Sequence, residues 1–193
     1  MIDEPTRHLF TVDDYYRMGE VGILGPEERV ELFEGEILVK ESKTPPHAHV
    51  LDVLNELFMV RFACIAHVRN QSPVRLSRWS EPEPDLAVVR GGPWDYQHGH
   101  PSSPLLVVEV ADWTLARDRR RKGALYARAG IADYWIVNLV DLVLEVYRDA
   151  VHSRRARHGW EYRHVQVLPR EATISPLAAA GARIAVADIL PPP

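Results

Sequence analysis

The sequence predicts an α/β fold with a mixed central sheet flanked by helices and preceded by an N-terminal β-hairpin. Three observations predict it. Residues 105–110 form a continuous apolar run, the mark of a central strand covered on both faces. A helical pattern over residues 115–129, stopped by Gly130, separates that run from a further strand at residues 134–139. Another strand, at residues 143–147, follows closely enough to pair with it as a hairpin. With 193 residues the chain is long enough to bury a substantial core. It shows no internal repeat and no composition break, so residues 1–193 are expected to form one domain.

The elements follow in order. Thr11 can cap a helix over residues 12–18, with Asp14 in the reciprocal capping position. Gly19, Gly22 and Gly25 then break the chain. VELFEGEILV, residues 30–39, reads as a β-hairpin turning at Glu34-Gly35. After Pro45-Pro46, Val50, Leu54, Leu57 and Phe58 recur at helical spacing, which predicts an amphipathic helix over 47–63. Strands are expected at 68–76 and 85–90, with a loop rich in Gly, Pro, Ser and His over 91–104. Residues 160–168 alternate in polarity and add a last strand. The tail from Pro176 carries weaker signals, and the final prolines are expected to fray.

Composition narrows the function classes. Apolar residues make up 46% and charged residues 26%, so the chain folds around a core. The formal charge of −4 argues against a generally basic coat, though not against a local basic face. Arg117, Arg119, Arg120, Arg121 and Lys122 make such a run, broken only by Asp118. Cys64 is the only cysteine, which excludes an internal disulfide and a cysteine metal cage. Its apolar setting predicts a buried, inert thiol. The first residues lack the pattern of a signal peptide, and no apolar run approaches membrane-spanning length. Cytoplasmic residence is the expectation.

Charge inside otherwise apolar strands marks the candidate site. Asp85 follows Pro84 and opens Leu86-Ala-Val-Val89, and Glu109 interrupts LVVEV at 106–110. A carboxylate in such a setting is costly unless it is paired or holds a metal. On neighbouring strands the two could converge on one hard cation, with the Val110 carbonyl as a further ligand. Mg2+ suits such oxygen donors and keeps waters for a phosphate. Lys122, on the following helix, could hold the attacking water or neutralise developing charge. Structural readings compete. Asp85 can simply end a turn, and Glu109 can pair with an arginine. Asp118 and Lys122 stand at the spacing of a surface helix ion pair worth roughly 0.3–0.5 kcal/mol.

Other constellations say less. His47 and His49, and His98 and His100, repeat a two-residue spacing without a zinc motif, so solvated loop histidines are expected. Residues 149–164 mix Arg154, Arg155, Arg157 and Arg163 with His152, His158, His164, Trp160 and Tyr162. That mix fits a phosphate-tracking surface and a solvated hairpin equally. Trp94, Tyr96 and Trp113 flank the proposed site, where packing is the commoner role. No Gly-rich phosphate loop, serine nucleophile elbow or dinucleotide fingerprint occurs.

Taken together, the segments resemble the Uma2 family of the PD-(D/E)xK restriction-endonuclease-like superfamily. VELFEGEI at 30–37 resembles the family's early ELIDGE hairpin. Pro45-Pro46-His47 with its helix follows, then EPDLAVV at 83–89. The most specific stretch is LVVEV at 106–110, Arg117-Asp118, Lys122 and LYARAGIADYWIV at 125–137. The resemblance covers roughly residues 10 to 150. It implies a restriction-endonuclease-like core and an endonuclease acting on nucleic acid, DNA above all, with Mg2+ or Mn2+. It implies Asp85 and Glu109 as metal carboxylates, Lys122 as the lysine moved to the helix, Glu31 as an auxiliary acid and His47 at the edge of the site. Ala111 stands where the usual lysine would be, and Ala111-Asp112-Trp113 replaces the small polar residue common after the Glu-Val pair. A homodimer would suit duplex cleavage. The competing functions are a non-cleaving nucleic-acid-binding or scaffold protein of the same fold, and an oligomerising structural domain.

Overall fold

The computed structural model describes residues 7–192 except residue 157. The expectations placed on the first five residues, on Arg157 and on Pro193 lie outside those described. Helix α1 (Val12–Glu20) is followed by the hairpin β1 (Val30–Phe33) and β2 (Glu36–Val39), then by α2 (Pro45–Phe62). Strands β3 (His67–Asn70), β4 (Leu86–Val89) and β5 (Leu106–Ala111) come next. A helix in three parts follows: α3 (Leu115–Arg117), a π-helical turn (Asp118–Lys122) and α4 (Gly123–Arg128). Strands β6 (Asp133–Asn138), β7 (Val143–His152) and β8 (Trp160–Leu168) then complete the main sheet, and the short β9 (Thr173–Ile174) and β10 (Ile184–Ala185) pair with each other.

The six-stranded sheet has the order β3-β4-β5-β6-β7-β8. Only β5 and β6 are parallel, because the three-part helix carries the chain back between them. Strand alternation sorts the side chains. Leu106, Val108 and Val110 of β5 enter the core with Leu54, Phe58 and Phe62 of α2. Val107 and Ala111 turn to the opposite face, where Tyr126 of α4 packs with Tyr134, Tyr147 and Tyr162. In β4, Leu86 and Val88 join the α2 side while Ala87 and Val89 face away from it. Phe58 lies edge-on to Trp135 at 6.0 Å, both fully buried, each burial worth roughly 2–3 kcal/mol.

Local chemistry explains the element ends. Thr11 and Asp14 form the predicted capping box, and α1 runs through Gly19 to Glu20. Glu34 and Gly35 both adopt positive φ, 52° and 82°, as a two-residue hairpin turn requires. Gly130, at φ 74°, ends the helix as expected.

Three expectations are corrected. The strand expected over 68–76 stops at Asn70, because Gln71 takes φ 44° and Pro73 lacks an N–H. Cys64 is exposed rather than buried: α2 ends at Phe62, which takes the core position, and the next turn points outward. The tail is well packed, with Ala179, Ile184, Val186, Ile189 and Leu190 in the α2-side core. Its two-residue strands and short 3₁₀ turns are too brief to show a period in sequence.

Candidate active site

Asp85 lies one residue before β4. Continuing the β4–β5 register from Leu86 opposite Val108 sets it opposite Glu109. Opposed residues of an antiparallel pair share a face, so both carboxylates point away from α2 toward the three-part helix. Ala111 O accepts from Leu139 N–H at 2.8 Å. Peptide groups alternate sides along a strand, so Val110 turns its N–H and C=O toward Asp85. The Val110 N–H donates to Asp85 Oδ2 at 2.9 Å. Asp85, Glu109 and the Val110 carbonyl therefore meet at one end of the sheet.

Lys122 reaches the same point because of the π turn. The wider turn swings both Asp118 and Lys122 inward, where they are 2% and 5% exposed. They are not a surface ion pair. Lys122 Nζ lies 2.8 Å from Glu109 Oε1, which also accepts the Tyr126 hydroxyl at 2.6 Å. Asp118 accepts from Thr114 Oγ1 at 2.5 Å. Of the basic run, Arg119 leaves the site and pairs with buried Glu145 on β7, its Nη2 2.5 Å from Oε1. The same carboxylate accepts from Asn138 and Tyr147. The turn that presents Lys122 is thus tied to β7, two strands beyond β5 on the same face of the sheet.

Glu31, on β1, is buried and lines the same cleft, its Oε2 accepting the Glu83 N–H at 3.1 Å. His47 sits inside the site rather than at its edge. Its Nε2 is 3.2 Å from Asp85 Oδ1, which Gln71 Nε2 approaches at 3.3 Å. Thr44 caps α2 through the His47 N–H and donates to Asp112 Oδ2 at 3.0 Å, which ties the loop after β5 to that helix. His49 and His98 are exposed, as expected.

The cleft has a cavity volume of about 50 Å³ and is lined by seven carboxylates against five lysines and arginines. That balance favours a cation. Glu109 is pushed upward by burial, which outweighs the pull of Lys122. Lys122 is itself raised, since the surrounding acids outweigh the cost of burying its charge. For Asp85, burial pushes upward, but the His47 and Val110 bonds and nearby Lys122 hold it below the ordinary range. Burial acts against a charged His47, yet Asp85 brings its net shift upward.

These shifts fix the sign of a pH effect. Glu109 and His47 stabilise the fold most when protonated, so that contribution fades as pH rises from about 4.5 and about 6.5. Asp85 acts oppositely, losing its contribution as pH falls below about 3.8. Urea unfolding in chelator should therefore show stability declining from mildly acidic to alkaline pH. Glu109→Gln should flatten that decline; an unchanged slope would show that Glu109 does not cause it.

The donor set suits a hard cation. Glu109 Oε2 takes no hydrogen bond among the described residues, Asp85 is held in place by its partners, and Val110 directs its carbonyl the same way. No group of three or more His, Cys, Asp and Glu side chains in ligating arrangement occurs among the described residues. Two carboxylates and a carbonyl match Mg2+, which binds through few protein ligands and keeps water.

Sequence reasoning missed Gln71, Thr44 and Tyr126 as site partners and misplaced Asp118. Gln71 owes its role to a left-handed backbone that composition does not signal. The Thr44-Pro45-Pro46 start of α2 was a readable cap.

Outside the cleft, Arg117, Arg120, Arg121 and His158 line a second groove, and Arg117 lines both. In the β7–β8 ribbon, Arg163 and His164 gather at Asp149, at 3.1 and 3.6 Å. No helix among the described residues is long and apolar enough to cross a membrane.

An antiparallel strand pair offers Asp85 and Glu109 to one face, and the helix after the second strand returns Lys122 to them, the arrangement that the resemblance to restriction-endonuclease-like proteins implies. A solved structure described as a putative nuclease belonging to DUF820 from Anabaena variabilis shares the fold, with a TM-score of 0.67 over 93% of this chain and 97% of that one at 16% identity. The family model of Uma2, described as putative restriction endonuclease, matches residues 12–187, and the chain belongs to that family. No curated protein matches it.

Proposed function

We propose that the protein is a divalent-metal-dependent endonuclease that hydrolyses phosphodiester bonds, with DNA as substrate and residues 1–193 acting as a single domain. The convergence of Asp85, Glu109 and the Val110 carbonyl beside Lys122 carries this reading. Asp85, Glu109 and Val110 would hold Mg2+ or Mn2+, which when bound supplies Lewis-acid charge and acidifies water. Lys122 keeps its proton and places positive charge where a phosphoryl oxygen gains negative charge. Tyr126 fixes the Glu109 oxygen that Lys122 uses, leaving Oε2 for the cation. Glu31 adds negative charge beside Lys122 and helps keep it charged. His47 and Gln71 orient Asp85. The groove of Arg117, Arg120 and Arg121 offers phosphate contacts leading away from the cleft.

A second reading, a nucleic-acid-binding protein that does not cleave, rests on one observation. Lys122 and Tyr126 already satisfy Glu109 Oε1, so the pair is stable without a cation. Incubating supercoiled plasmid with Mg2+ or Mn2+ separates the two. Nicking that is lost in chelator, in Glu109→Ala and in Lys122→Ala is expected. Cleavage surviving both substitutions would sink the site assignment, and binding without turnover would favour the second reading. A homodimer would suit duplex cleavage, and a cytoplasmic setting suits an exposed free thiol such as Cys64.

A further inference from the structure

The rim of the cleft holds a side chain that catalysis does not use. Trp113 lines the cleft and is 63% exposed, with no aromatic or cation–π partner among the described residues. Its backbone is nevertheless held. Asp112 before it accepts from Thr44, and Thr114 after it accepts the Arg117 N–H at 2.8 Å and donates to Asp118. A large indole left in water on an anchored loop, beside a phosphodiester site, presents a flat apolar face to whatever enters.

Arg117 stands next to it. Its Nε is buried without a hydrogen-bond partner among the described residues, and its Nη1 lies 3.5 Å from Glu41, a loose contact across the cleft mouth. The Nη end of this planar guanidinium, held only loosely by Glu41, is the part that can meet a phosphate oxygen, which would displace Glu41. Arg117 also borders the groove of Arg120 and Arg121, so the backbone has a path away from the indole.

Resting on the nuclease reading, we propose that Trp113 and Arg117 form a nucleotide subsite, the indole stacking on an unpaired base and the guanidinium binding the adjacent phosphate. The substrate class is then single-stranded or locally unpaired nucleic acid. In an intact duplex the base faces are already stacked, and only a base free of its partner can offer one to Trp113. The cleft's excess of carboxylates weakens affinity through phosphate charge alone, which makes stacking the larger source of selectivity.

Fluorescence anisotropy in chelator tests this with labelled oligonucleotides as single strand, perfect duplex and bulged duplex, in DNA and RNA forms. The full-length protein should bind single strand and bulge about tenfold more tightly than duplex. Trp113→Ala should lose on the order of tenfold to a hundredfold on the unpaired forms and little on duplex. Trp113→Phe should restore most of that loss, which a misfolded loop would not do. Arg117→Ala should weaken every form and lower the salt dependence by about one counterion. Quenching of tryptophan fluorescence by oligothymidylate should diminish in Trp113→Phe. Unchanged single-strand affinity in Trp113→Ala, or equal losses on single strand and duplex, overturns the subsite while leaving plasmid cleavage intact. Absence of binding to every form overturns the subsite too, and plasmid cleavage with Mg2+ or Mn2+ decides the nuclease reading separately.

Discussion

Lys122→Ala is expected to abolish cleavage and to unfold the protein more readily, by about 3–5 kcal/mol near neutral pH. The substitution leaves Glu109 buried beside Asp85 and Asp118 with no counter-charge. Cleavage should fall at least about a hundredfold, the usual cost of one preorganised charge at a reacting centre. The double variant Lys122→Met with Glu109→Gln separates stability from chemistry. It removes both charges at once, and the glutamine can still accept the Tyr126 hydroxyl, so most of the lost stability should return while cleavage stays absent. Urea unfolding and plasmid nicking on the same preparations measure the two effects. A double variant that regains activity with its stability would show that the pair is structural only.

Glu145→Ala tests the anchor of the π turn. Glu145 is 1% exposed and accepts from Arg119, Asn138 and Tyr147. Its removal leaves the Tyr147 hydroxyl without its acceptor, leaves Asn138 with Asp141 alone and frees the half-exposed Arg119, at a cost of about 1–3 kcal/mol. The larger consequence is positional. Without that anchor the turn relaxes, Lys122 loses its aim at Glu109, and cleavage should fall about tenfold or more at temperatures where the protein remains folded. Glu145→Gln keeps one acceptor oxygen, enough for either Asn138 or Tyr147, and should retain more of both properties than the alanine variant. Wild-type turnover in Glu145→Ala would show that the π turn holds its shape unaided.

Much of the sheet was legible in sequence because its strands carry long signals. The LVVEV run, the YWIV strand and the hairpin at Glu34-Gly35 each combine apolar patterning with a specific turn or stop residue. The acids were legible for the same reason, since Asp85 and Glu109 contrast with apolar neighbours. Lys122 was less so. An aspartate and a lysine four apart on a helix normally form a surface pair, and only the π turn places both inside. Arg119 of that turn is bonded to Glu145, a residue of β7 far along the chain. Gln71 was hidden because its role comes from an unusual backbone angle. The tail was hidden because its elements are too short for periodicity, although Asp133 ties it down through Leu177 N–H at 2.8 Å.

The central claim is that Asp85, Glu109 and the Val110 carbonyl hold one divalent cation. Crystals of the protein soaked in Mn2+ and measured for anomalous scattering test it most directly. The account predicts a manganese peak bonded to the Asp85 carboxylate, Glu109 Oε2 and the Val110 carbonyl, absent in Asp85→Ala. A peak elsewhere, or none at a Mn2+ concentration that supports cleavage, would contradict it.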